Sequence, residues 1–340
     1  MTGSALRWGL LSTASIGETV VHANRGSEVA EFVAVASRDA EKARRFADRL
    51  DLPVSFASYE ELLTSDSVDA VYVALPVSMH TEWTVKALQA GKHVLCEKPF
   101  ATSAADARRC VDAAEKAGVV CVEGLMYRHH PRTELARKLV AEGAIGEVTL
   151  VRGALSVAVP PDDIRRNRAL GGGALGDLGA YCSSAFRLFA GEPRRVHAER
   201  VLDKGEDPVD LRVAATLRSR SGVLGTFDVG LDLPRRDELE IIGTEGRVVV
   251  DDPWLCRDTT VQVWRDGSCV RHEAEHTSVS GDDEGGVYRL EFETVSSAIK
   301  DAAALPFGAD DLMAQASVHE ALTRSADSGQ PVELSAQLRR

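Results

Sequence analysis

The feature that most constrains the fold is the alternation of short apolar runs with amphipathic segments between Leu6 and Glu123. The runs are Trp8–Leu11, Phe32–Ala36, Ala70–Leu75, His93–Cys96 and Val119–Val122. Segments with helical spacing of apolar residues follow them, for example Asp39–Leu50 and Thr81–Ala90. Apolar strands that alternate with helices are typical of a parallel sheet covered on both faces. The sequence therefore predicts an α/β domain with a doubly wound parallel sheet.

The turn after the first run carries a degenerate form of the phosphate loop of Rossmann domains. The usual G-x-G-x-x-G survives only as Ser12-x-Ala14-x-x-Gly17. Small side chains let the backbone approach a pyrophosphate at the helix N-terminus, although serine and alanine suit the tight turn less well than glycine. An ordinary small-residue turn after a strand would give the same pattern. The residues expected to contact a dinucleotide here are Ser12, Thr13, Ala14, Ser15 and Ile16.

The second run ends at the pair Ser37-Arg38, about twenty residues after Gly17, where NAD-specific domains place an acidic residue. A hydroxyl beside a guanidinium suits a 2′-phosphate, because arginine binds phosphate with a bidentate fork. The alternative is that Ser37 only caps the helix that starts near Asp39 while Arg38 is solvated. The pair favours NADP(H) as the cofactor over NAD(H).

Two motifs carry residues suited to moving a proton on and off a carbinol oxygen. Glu97–Pro99 follows an apolar run, and Asp177–Tyr181 follows a triple glycine. A lysine ammonium such as that of Lys98 lowers the pKa of a nearby phenol, which can then exchange a proton near neutral pH. Asp177 precedes Tyr181 by four residues, so on a helix it would face the same side and orient Tyr181 or bind a substrate hydroxyl. The alternative role for Asp177 is a helix N-cap.

These blocks together resemble the glucose-fructose oxidoreductase, inositol dehydrogenase and rhizopine-catabolism (GFO/IDH/MocA) family. The matching segments span nearly the whole chain and are Ala74–Pro76 with His80, Gly91–Pro99, Gly124–Pro131, Gly171–Tyr181 and Leu239–Gly246. The resemblance implies an NADP-binding Rossmann domain over residues 1–126 and a substrate-binding α+β domain over residues 127–340. The second domain would contain a large, mostly antiparallel open sheet, and the last helix would pack back on the first domain. Alternating segments such as Val209–Leu217 and Val223–Val229 agree with such a sheet.

The resemblance also implies a reaction and a set of site residues. Many members end the Asp-x-Gly-x-x block with histidine. This chain has Tyr181 there and so resembles a subgroup that includes dihydrodiol dehydrogenases, xylose dehydrogenases and 3-ketosugar reductases. Tyr181 would be the acid/base, with Lys98 and Asp177 as the other catalytic residues, in hydride transfer between NADP(H) and a sugar or cyclitol. Family members hold the Lys98-Pro99 peptide in cis. Beyond the phosphate loop, the expected cofactor contacts are Ser37, Arg38, Leu75, Pro76, His80, Glu97 and Lys98.

Several alternatives stay open at this level. The substrate could be an aldose oxidised at carbon 1 or a ketosugar that is reduced, and the sequence does not separate the two. A non-catalytic NADP(H)-binding sensor on the same fold is the other class of function, although retention of Lys98 and Tyr181 argues against it. His80 would line the nicotinamide pocket or only cap the next helix.

Three other features are interpreted in two ways. The basic run Arg165–Arg168 is a solvated loop or a contact for a phosphorylated or nucleotide-linked sugar. Trp254 packs at the sheet edge or forms a platform for a sugar. His129 and His130 contact substrate or have structural roles beside a proline that begins a helix, and Arg128 faces the pocket or braces a carboxylate.

Composition limits the partners of the chain. The net charge of −12 argues against nucleic acid or anionic membrane as a main partner. Six scattered cysteines without zinc spacing indicate free thiols in a reducing cytoplasm, and no apolar window is long enough to cross a membrane. No metal motif is found, and the acidic stretch 282–284 is interpreted as a solvated loop. By the family resemblance, the protein is expected to be a homodimer or homotetramer.

Overall fold

The computed structural model describes residues 5–275 and 285–335, which form two compact units. Among these residues, the first unit comprises 5–101, 105–126 and 285–312, and the second comprises 102–104, 127–275 and 313–335. The chain passes from the first unit to the second after Met126.

The elements are numbered in chain order. The strands of the described residues are β1 (Leu6–Leu11), β2 (Ala30–Ala36), β3 (Val54–Phe56), β4 (Ala70–Val73), β5 (His93–Glu97), β6 (Cys121–Gly124), β7 (Val148–Ser156), β8 (Pro193–Leu202), β9 (Asp210–Ser219), β10 (Leu224–Gly230), β11 (Arg236–Gly243), β12 (Arg247–Asp251), β13 (Thr260–Arg265), β14 (Ser268–Glu273) and β15 (Val332–Glu333). The α-helices are α1 (Ser15–Ala23), α2 (Ala40–Leu50), α3 (Tyr59–Thr64), α4 (Val77–Gln89), α5 (Ala104–Ala117), α6 (Pro131–Ala141), α7 (Ala180–Ala190), α8 (Gly286–Lys300) and α9 (Ala309–Ser328). A π-helical turn, Leu175–Gly179, leads directly into α7.

The first unit contains a six-stranded sheet in the order β3-β2-β1-β4-β5-β6, and every neighbouring pair is parallel. The strand order reverses between β1 and β4, and open parallel sheets bind ligands beyond the carboxyl ends of the strands at such a reversal. The predicted cofactor residues follow β1, β2, β4 and β5, so they all lie at this carboxyl edge. The structure confirms the doubly wound parallel sheet.

An aromatic cluster joins α8 to this sheet. Phe292 is fully buried and makes edge contacts with the rings of Trp8, Phe32 and Tyr72, with centroid distances of 4.8, 4.9 and 5.3 Å. The indole of Trp8 donates a hydrogen bond to Ser296 Oγ at 2.9 Å. The helix that returns to the first unit is therefore α8, whereas most of the last helix, α9, groups with the second unit.

The second unit contains a nine-stranded sheet in the order β14-β13-β12-β11-β7-β10-β9-β8-β15. Only β7 and β10 pair in parallel, and the remaining neighbours are antiparallel. Side chains along β9 alternate strictly between buried and exposed, as expected for a sheet with one covered face. The prediction of a large, mostly antiparallel sheet is confirmed.

Helix α7 packs closely on β7 and β10 because glycines occupy the contact positions. A Cβ atom at Gly225 on β10 would lie 2.3 Å from Phe186 Cδ2, and one at Gly153 on β7 would lie 3.3 Å from Cys182 Sγ. Eight consecutive residues at the start of α7, from Ala180 to Arg187, are buried. The sheet thus supports the helix that carries Tyr181.

Candidate active site

The phosphate loop places an open helix N-terminus at the end of β1. Ser12 adopts a positive φ of 131°, a conformation that glycine takes more easily. Its hydroxyl donates to the Ala74 carbonyl at 2.8 Å and accepts from the Ala14 N–H at 3.0 Å, so the serine also ties the loop to the end of β4. Ala14 precedes α1 and provides no side-chain cap, and Ser15 is exposed. An uncapped helix N-terminus behind a small-residue turn fits the pyrophosphate of a dinucleotide. Thr13 and Ile16 flank this turn, partly exposed.

The pair after β2 separates into a buried and an exposed residue. Ser37 is 7% exposed and accepts from the Asp39 N–H at 3.2 Å. The cap of α2 is Asp39, which accepts from the Lys42 N–H at 3.0 Å, so the alternative in which Ser37 caps the helix is wrong. The exposed Arg38 has no carboxylate within 4.0 Å among the described residues. Its guanidinium lies near Tyr59, where it opposes the rise in the Tyr59 pKa that burial causes.

Lys98 lies in a tight turn after β5, and the Lys98-Pro99 peptide is cis, as the family resemblance implies. Glu97 braces the start of this turn: Tyr72 donates its hydroxyl to Glu97 Oε1, and the Lys98 N–H donates to Glu97 Oε2 at 3.1 Å. Tyr72 acts as a donor because burial raises its pKa well above the usual value. On the other side of the turn, the Phe100 N–H donates to Glu123 Oε1 on β6 at 2.9 Å.

His80 connects the same turn to the end of β4. Its ring is fully buried, with Nδ1 2.9 Å from the Pro99 carbonyl oxygen and Nε2 2.8 Å from the Leu75 carbonyl oxygen. Burial is the largest cause of its lowered pKa, and the two carbonyls oppose that shift. The imidazole thus joins two loops of the carboxyl edge and offers no surface to a ligand in this structure, in contrast to the predicted pocket lining. Leu75 is 7% exposed, and Pro76 precedes the first residue of α4.

Tyr181 is the second residue of α7 and is 7% exposed. Its ring lies 6.2 Å from that of Tyr127 and 5.7 Å from that of Trp254, and these two rings meet edge to face at 5.3 Å. Trp254 is 1% exposed and donates its indole N–H to the Ala154 carbonyl at 3.2 Å. Trp254 is thus buried packing around Tyr181, neither at the sheet edge nor a platform for a sugar.

Asp177 lies inside the π-helical turn, two positions after its first residue, so it is not the N-cap. The carboxylate that holds the start of this turn comes from β9: Asp210 Oδ2 accepts from the Leu175 N–H at 2.7 Å. A Cβ atom at Gly173, where φ is 129°, would lie 2.5 Å from Asp210 Oδ1. The glycine run therefore lets a buried carboxylate approach the backbone. Asp210 was not predicted as a site residue, and its position at the start of a predicted strand is the only sequence signal for it.

Two arginines of the basic run, Arg165 and Arg168, lie near acidic residues of their own unit. Arg165 forms a two-pronged ion pair with Asp163, at 2.9 and 2.7 Å, and its Nη1 lies 3.9 Å from Asp177 Oδ2. Arg168 Nε lies 3.5 Å from Asp207 Oδ1. Arg165 is thus a neighbour of Asp177, and the role of the basic run stays a prediction.

The segment before α6 has mainly structural contacts. Arg128 is 8% exposed and donates from Nε to Ser184 Oγ on α7 at 2.7 Å, and the Tyr127 hydroxyl lies 2.6 Å from the same oxygen. His130 caps α6 by accepting from the Arg132 N–H at 3.1 Å, which confirms its structural alternative. Burial lowers the pKa of His129 to about 4.

Metal ligands and membrane spans were also sought in residues 5–275 and 285–335. No group of three or more His, Cys, Asp or Glu side chains in these ranges is arranged to hold a metal ion. No helix in them is long and apolar enough to cross a membrane. The acidic stretch 282–284 lies outside the described residues. All six cysteines are free thiols, and five of them are buried.

Two characterised proteins are similar to this chain in sequence. A D-xylose 1-dehydrogenase (NADP(+)) from Haloferax volcanii is 36% identical over 337 residues, which cover 97% of this chain and 100% of the relative. A dTDP-3,4-didehydro-2,6-dideoxy-alpha-D-glucose 3-reductase from Saccharopolyspora spinosa is 40% identical over 222 residues, covering 65% of this chain and 67% of the relative.

A solved structure shares the fold and was determined with ligands. It is a 3-ketoreductase from Actinomadura kijaniata in complex with NADP and TDP-benzene, 29% identical, with a TM-score of 0.85 over 95% of this chain and 98% of that chain. Two further structures of that ketoreductase, 28% and 27% identical with TM-scores of 0.85 and 0.81 and the same coverage, carry a tyrosine-to-phenylalanine and a lysine-to-alanine replacement.

Family models match both units. Residues 6–125 match the GFO/IDH/MocA oxidoreductase family with an NAD-binding Rossmann fold, and residues 133–249 match the GFO/IDH/MocA C-terminal domain. These matches confirm the resemblance that was inferred from the sequence motifs. The chain therefore belongs to the GFO/IDH/MocA family of oxidoreductases.

Proposed function

We propose that the protein is an NADP-dependent oxidoreductase that acts on a hydroxyl or carbonyl carbon of a sugar, either as an aldose 1-dehydrogenase or as a ketosugar reductase. The observation that carries the proposal is the alignment of the phosphate loop, Arg38 and Lys98 along one edge of the parallel sheet. A ligand site is expected at this edge because open parallel sheets bind ligands beyond the carboxyl ends of their strands, where the strand order reverses. The xylose dehydrogenase and the ketosugar reductases among the relatives support a sugar as the substrate.

Arg38 supports the choice of NADP over NAD. It is exposed, follows a buried serine instead of an acidic residue, and has no carboxylate partner in the described part of the chain. A guanidinium in this state can bind a 2′-phosphate without first breaking an ion pair. The xylose dehydrogenase that uses NADP(+) and the ketoreductase crystallised with NADP agree with this choice.

Tyr181, Lys98 and Asp177 are proposed to transfer a proton to and from the substrate oxygen. A bound nicotinamide supplies or accepts the hydride. In reduction Tyr181 donates its phenolic proton to the substrate oxygen, and in oxidation the phenolate takes that proton from the hydroxyl. The ammonium of Lys98 stabilises the phenolate and binds the substrate oxygen, and Asp177 orients the substrate or Tyr181. The tyrosine and lysine replacements made in the related ketoreductase concern the same two residue types.

A substrate panel tests the proposed activity. Purified protein is mixed with NADPH and a set of ketosugars, and separately with NADP⁺ and a set of aldoses, while nicotinamide absorbance is followed. We expect turnover with at least one class of sugar. Tight NADPH binding without any substrate-dependent change across the panel would overturn the proposal in favour of a non-catalytic sensor.

The role of Lys98 has a separate test. The variant Lys98→Ala should shift the kinetic pKa of the acid/base group upward, because a positive charge that favours the phenolate is removed. The measurement is the pH profile of kcat/KM for the variant and the wild type. An unchanged profile would remove Lys98 from this role.

We also propose that the chain forms a homodimer or homotetramer through the open face of the large sheet. Thr216 and Thr226 lie opposite each other on β9 and β10, on the exposed face. Charges of both signs surround them, including the pairs Arg236–Asp228 at 2.6 Å and Arg152–Glu240 at 3.2 Å, and the face encloses a concavity of about 710 Å³. Small central side chains with mixed charges around them suit contact between two copies of the same surface.

Light scattering after size-exclusion chromatography tests this assembly. We expect the mass of two or four chains for the wild type. Thr216→Arg should yield monomers, because an isologous contact would bring two added charges together. A monomeric wild type would end the proposal.

The protein is further proposed to work in a reducing compartment such as the cytoplasm. The free thiols support this location, because an oxidising compartment favours disulfides. Cell fractionation with an antibody against the chain tests it, and recovery in an oxidising compartment would contradict it.

A further inference from the structure

Gln315 on α9 is a buried residue whose side chain is fully engaged by α7. It is 3% exposed, and its amide nitrogen donates to the Ala180 carbonyl at 3.1 Å and to Ser183 Oγ at 3.0 Å. Its amide oxygen accepts from Arg187 Nη1 at 3.0 Å. An amide group has two N–H donors, and both are used here. The side chain thus spans the first two turns of α7 from a helix that lies far along the sequence.

The orientation of this amide is fixed by Arg187. A guanidinium only donates, so the atom that faces it must be the amide oxygen, and the NH₂ group must face Ala180. Arg187 is held in turn by Glu192, which accepts from Nε at 3.0 Å and from Nη2 at 2.8 Å. Glu192, Arg187 and Gln315 therefore form a chain of hydrogen bonds that ends on the backbone of Ala180.

The hydrogen bond from Gln315 to Ala180 matters because Ala180 lies next to Tyr181. Ala180 is the first residue of α7 and directly follows the π-helical turn, and its carbonyl belongs to the peptide bond that leads to Tyr181. The hydrogen-bond spacing along the backbone changes at this junction. A shift of that junction by one residue would turn the Tyr181 side chain by about 100°, the rotation per residue of an α-helix. A donor from outside the helix that binds the Ala180 carbonyl opposes such a shift.

We propose that Gln315 is a positioning residue for Tyr181, which fixes the junction between the π-helical turn and α7 and so sets the direction of the phenol. This inference rests on the proposed function, in which Tyr181 is the acid/base. The essential interaction is the N–H donated to the Ala180 carbonyl. The bond to Arg187 serves to orient that donor.

Two replacements of Gln315 share the loss of the NH₂ group, which donates to the Ala180 carbonyl and to Ser183 Oγ. Gln315→Met has similar length without polar atoms, and Gln315→Glu keeps an oxygen for Arg187 but cannot donate to Ala180. The matched control is Ser325→Ala on the same helix, since Ser325 is fully buried, accepts from the Ala198 N–H at 3.0 Å and donates to the Gln330 carbonyl at 2.7 Å. The control removes buried hydrogen bonds from α9 without touching α7.

The measurements are kcat, the KM for NADPH, the pH profile of kcat/KM and the NMR signal of the Tyr181 ring. The signal is assigned in ¹³C-tyrosine protein by its absence in Tyr181→Phe. We expect both Gln315 variants to lose about 10- to 100-fold in kcat, the size of effect that a small misplacement of a catalytic group causes. The KM for NADPH should stay within about twofold, the kinetic pKa should move, and the Tyr181 signal should shift in both variants but not in Ser325→Ala.

Three outcomes would overturn the inference. The first is wild-type kinetics with an unchanged Tyr181 signal in Gln315→Met. The second is a loss of kcat confined to Gln315→Glu, which would be an effect of the added charge. The third is an equal loss of kcat in Ser325→Ala. If the wild type turns over no sugar, the proposed function fails. The Tyr181 signal still tests whether Gln315 sets the position of the phenol, because that readout requires no turnover.

Discussion

At the scale of single residues, the candidate site depends on side chains that hold other side chains. The turn with Lys98 is bound by Tyr72 through Glu97, by His80 and by Glu123. These three residues come from β4, α4 and β6, and all three are buried. A turn held from three sides loses little backbone conformational entropy when Lys98 binds a substrate oxygen, and this is a form of preorganisation.

Sequence alone predicted Lys98 and Tyr181 as site residues but not most of the residues that contact them. Glu123 could have been predicted, since a carboxylate next to the apolar run Val119–Val122 needs a hydrogen-bond partner when the strand is buried. Gln315 could not, because its partner Ala180 is far away in the sequence and is a backbone group. Spacing patterns report which face of an element is apolar. They carry no information on which distant carbonyl a buried amide meets.

Arg38 gives a prediction at this scale. Arg38→Ala should weaken NADP⁺ binding by about 10- to 100-fold, since a hydrogen bond to a charged group contributes about 1.5–3 kcal/mol. Binding of NAD⁺, which lacks the 2′-phosphate, should change little and serves as the control in the same variant. Calorimetry with the two cofactors measures both affinities, and equal losses would end the assignment of Arg38 to the phosphate.

At the scale of elements, the parallel sheet was predictable and the segment before Tyr181 was not. The apolar runs correspond to five of the six strands of the first sheet, and only the three-residue β3 lacks such a run. Short parallel strands buried on both faces leave a strong apolar signal. In the second sheet, the sequence pattern did not point to β7, β8, β14 or β15, and exposed positions interrupt the apolar pattern of β7, β8 and β14.

The π-helical turn shows the limit of arguments from spacing. The expectation that Asp177 and Tyr181 share one face assumed a continuous α-helix. The spacing changes from π to α at Ala180, so the angle between the two side chains differs from that in a continuous α-helix. A triple glycine predicted a helix start, but the carboxylate that holds it belongs to Asp210 on another strand. Single π-helical turns inside helices are often found at functional sites, in agreement with the proposed role of this segment.

The return of α8 to the first sheet gives a prediction for this scale. Phe292→Ala should lower the free energy of unfolding by about 3–5 kcal/mol, because it leaves a cavity among three aromatic rings. Thr294→Ala, at a partly exposed position of the same helix, is the control and should change little. Chemical denaturation measures both. A loss below about 1 kcal/mol for Phe292→Ala would show that α8 is not part of this core.

At the scale of the whole molecule, neutral buried histidines make stability depend on pH. Burial lowers the pKa of His129, His130 and His319 to about 4. The unfolded chain binds these protons at an ordinary pKa of about 6.5. Between these values the unfolded state carries more protons, so stability is complete above about pH 6.5 and falls as the pH decreases toward 4.

His319, which lies on α9, isolates one part of this effect. Because its pKa is lowered to about 4, His319 should reduce the free energy of unfolding by about 2 kcal/mol between pH 8 and pH 5. In His319→Gln the difference in unfolding free energy between pH 8 and pH 5 should therefore be smaller than in the wild type by about that amount. Denaturation curves at the two pH values measure it. An identical pH dependence in the two proteins would contradict a neutral buried His319.

The central claim for the whole molecule is the proposal that Tyr181 exchanges the proton in the hydride-transfer reaction. The most direct test is Tyr181→Phe, measured for turnover of an active sugar and for NADPH affinity. The replacement removes only the hydroxyl and keeps the ring among Tyr127 and Trp254. We predict a loss of about 10²–10⁴-fold in kcat, the usual contribution of an acid/base group, with NADPH affinity unchanged. Turnover near the wild-type rate would contradict the account.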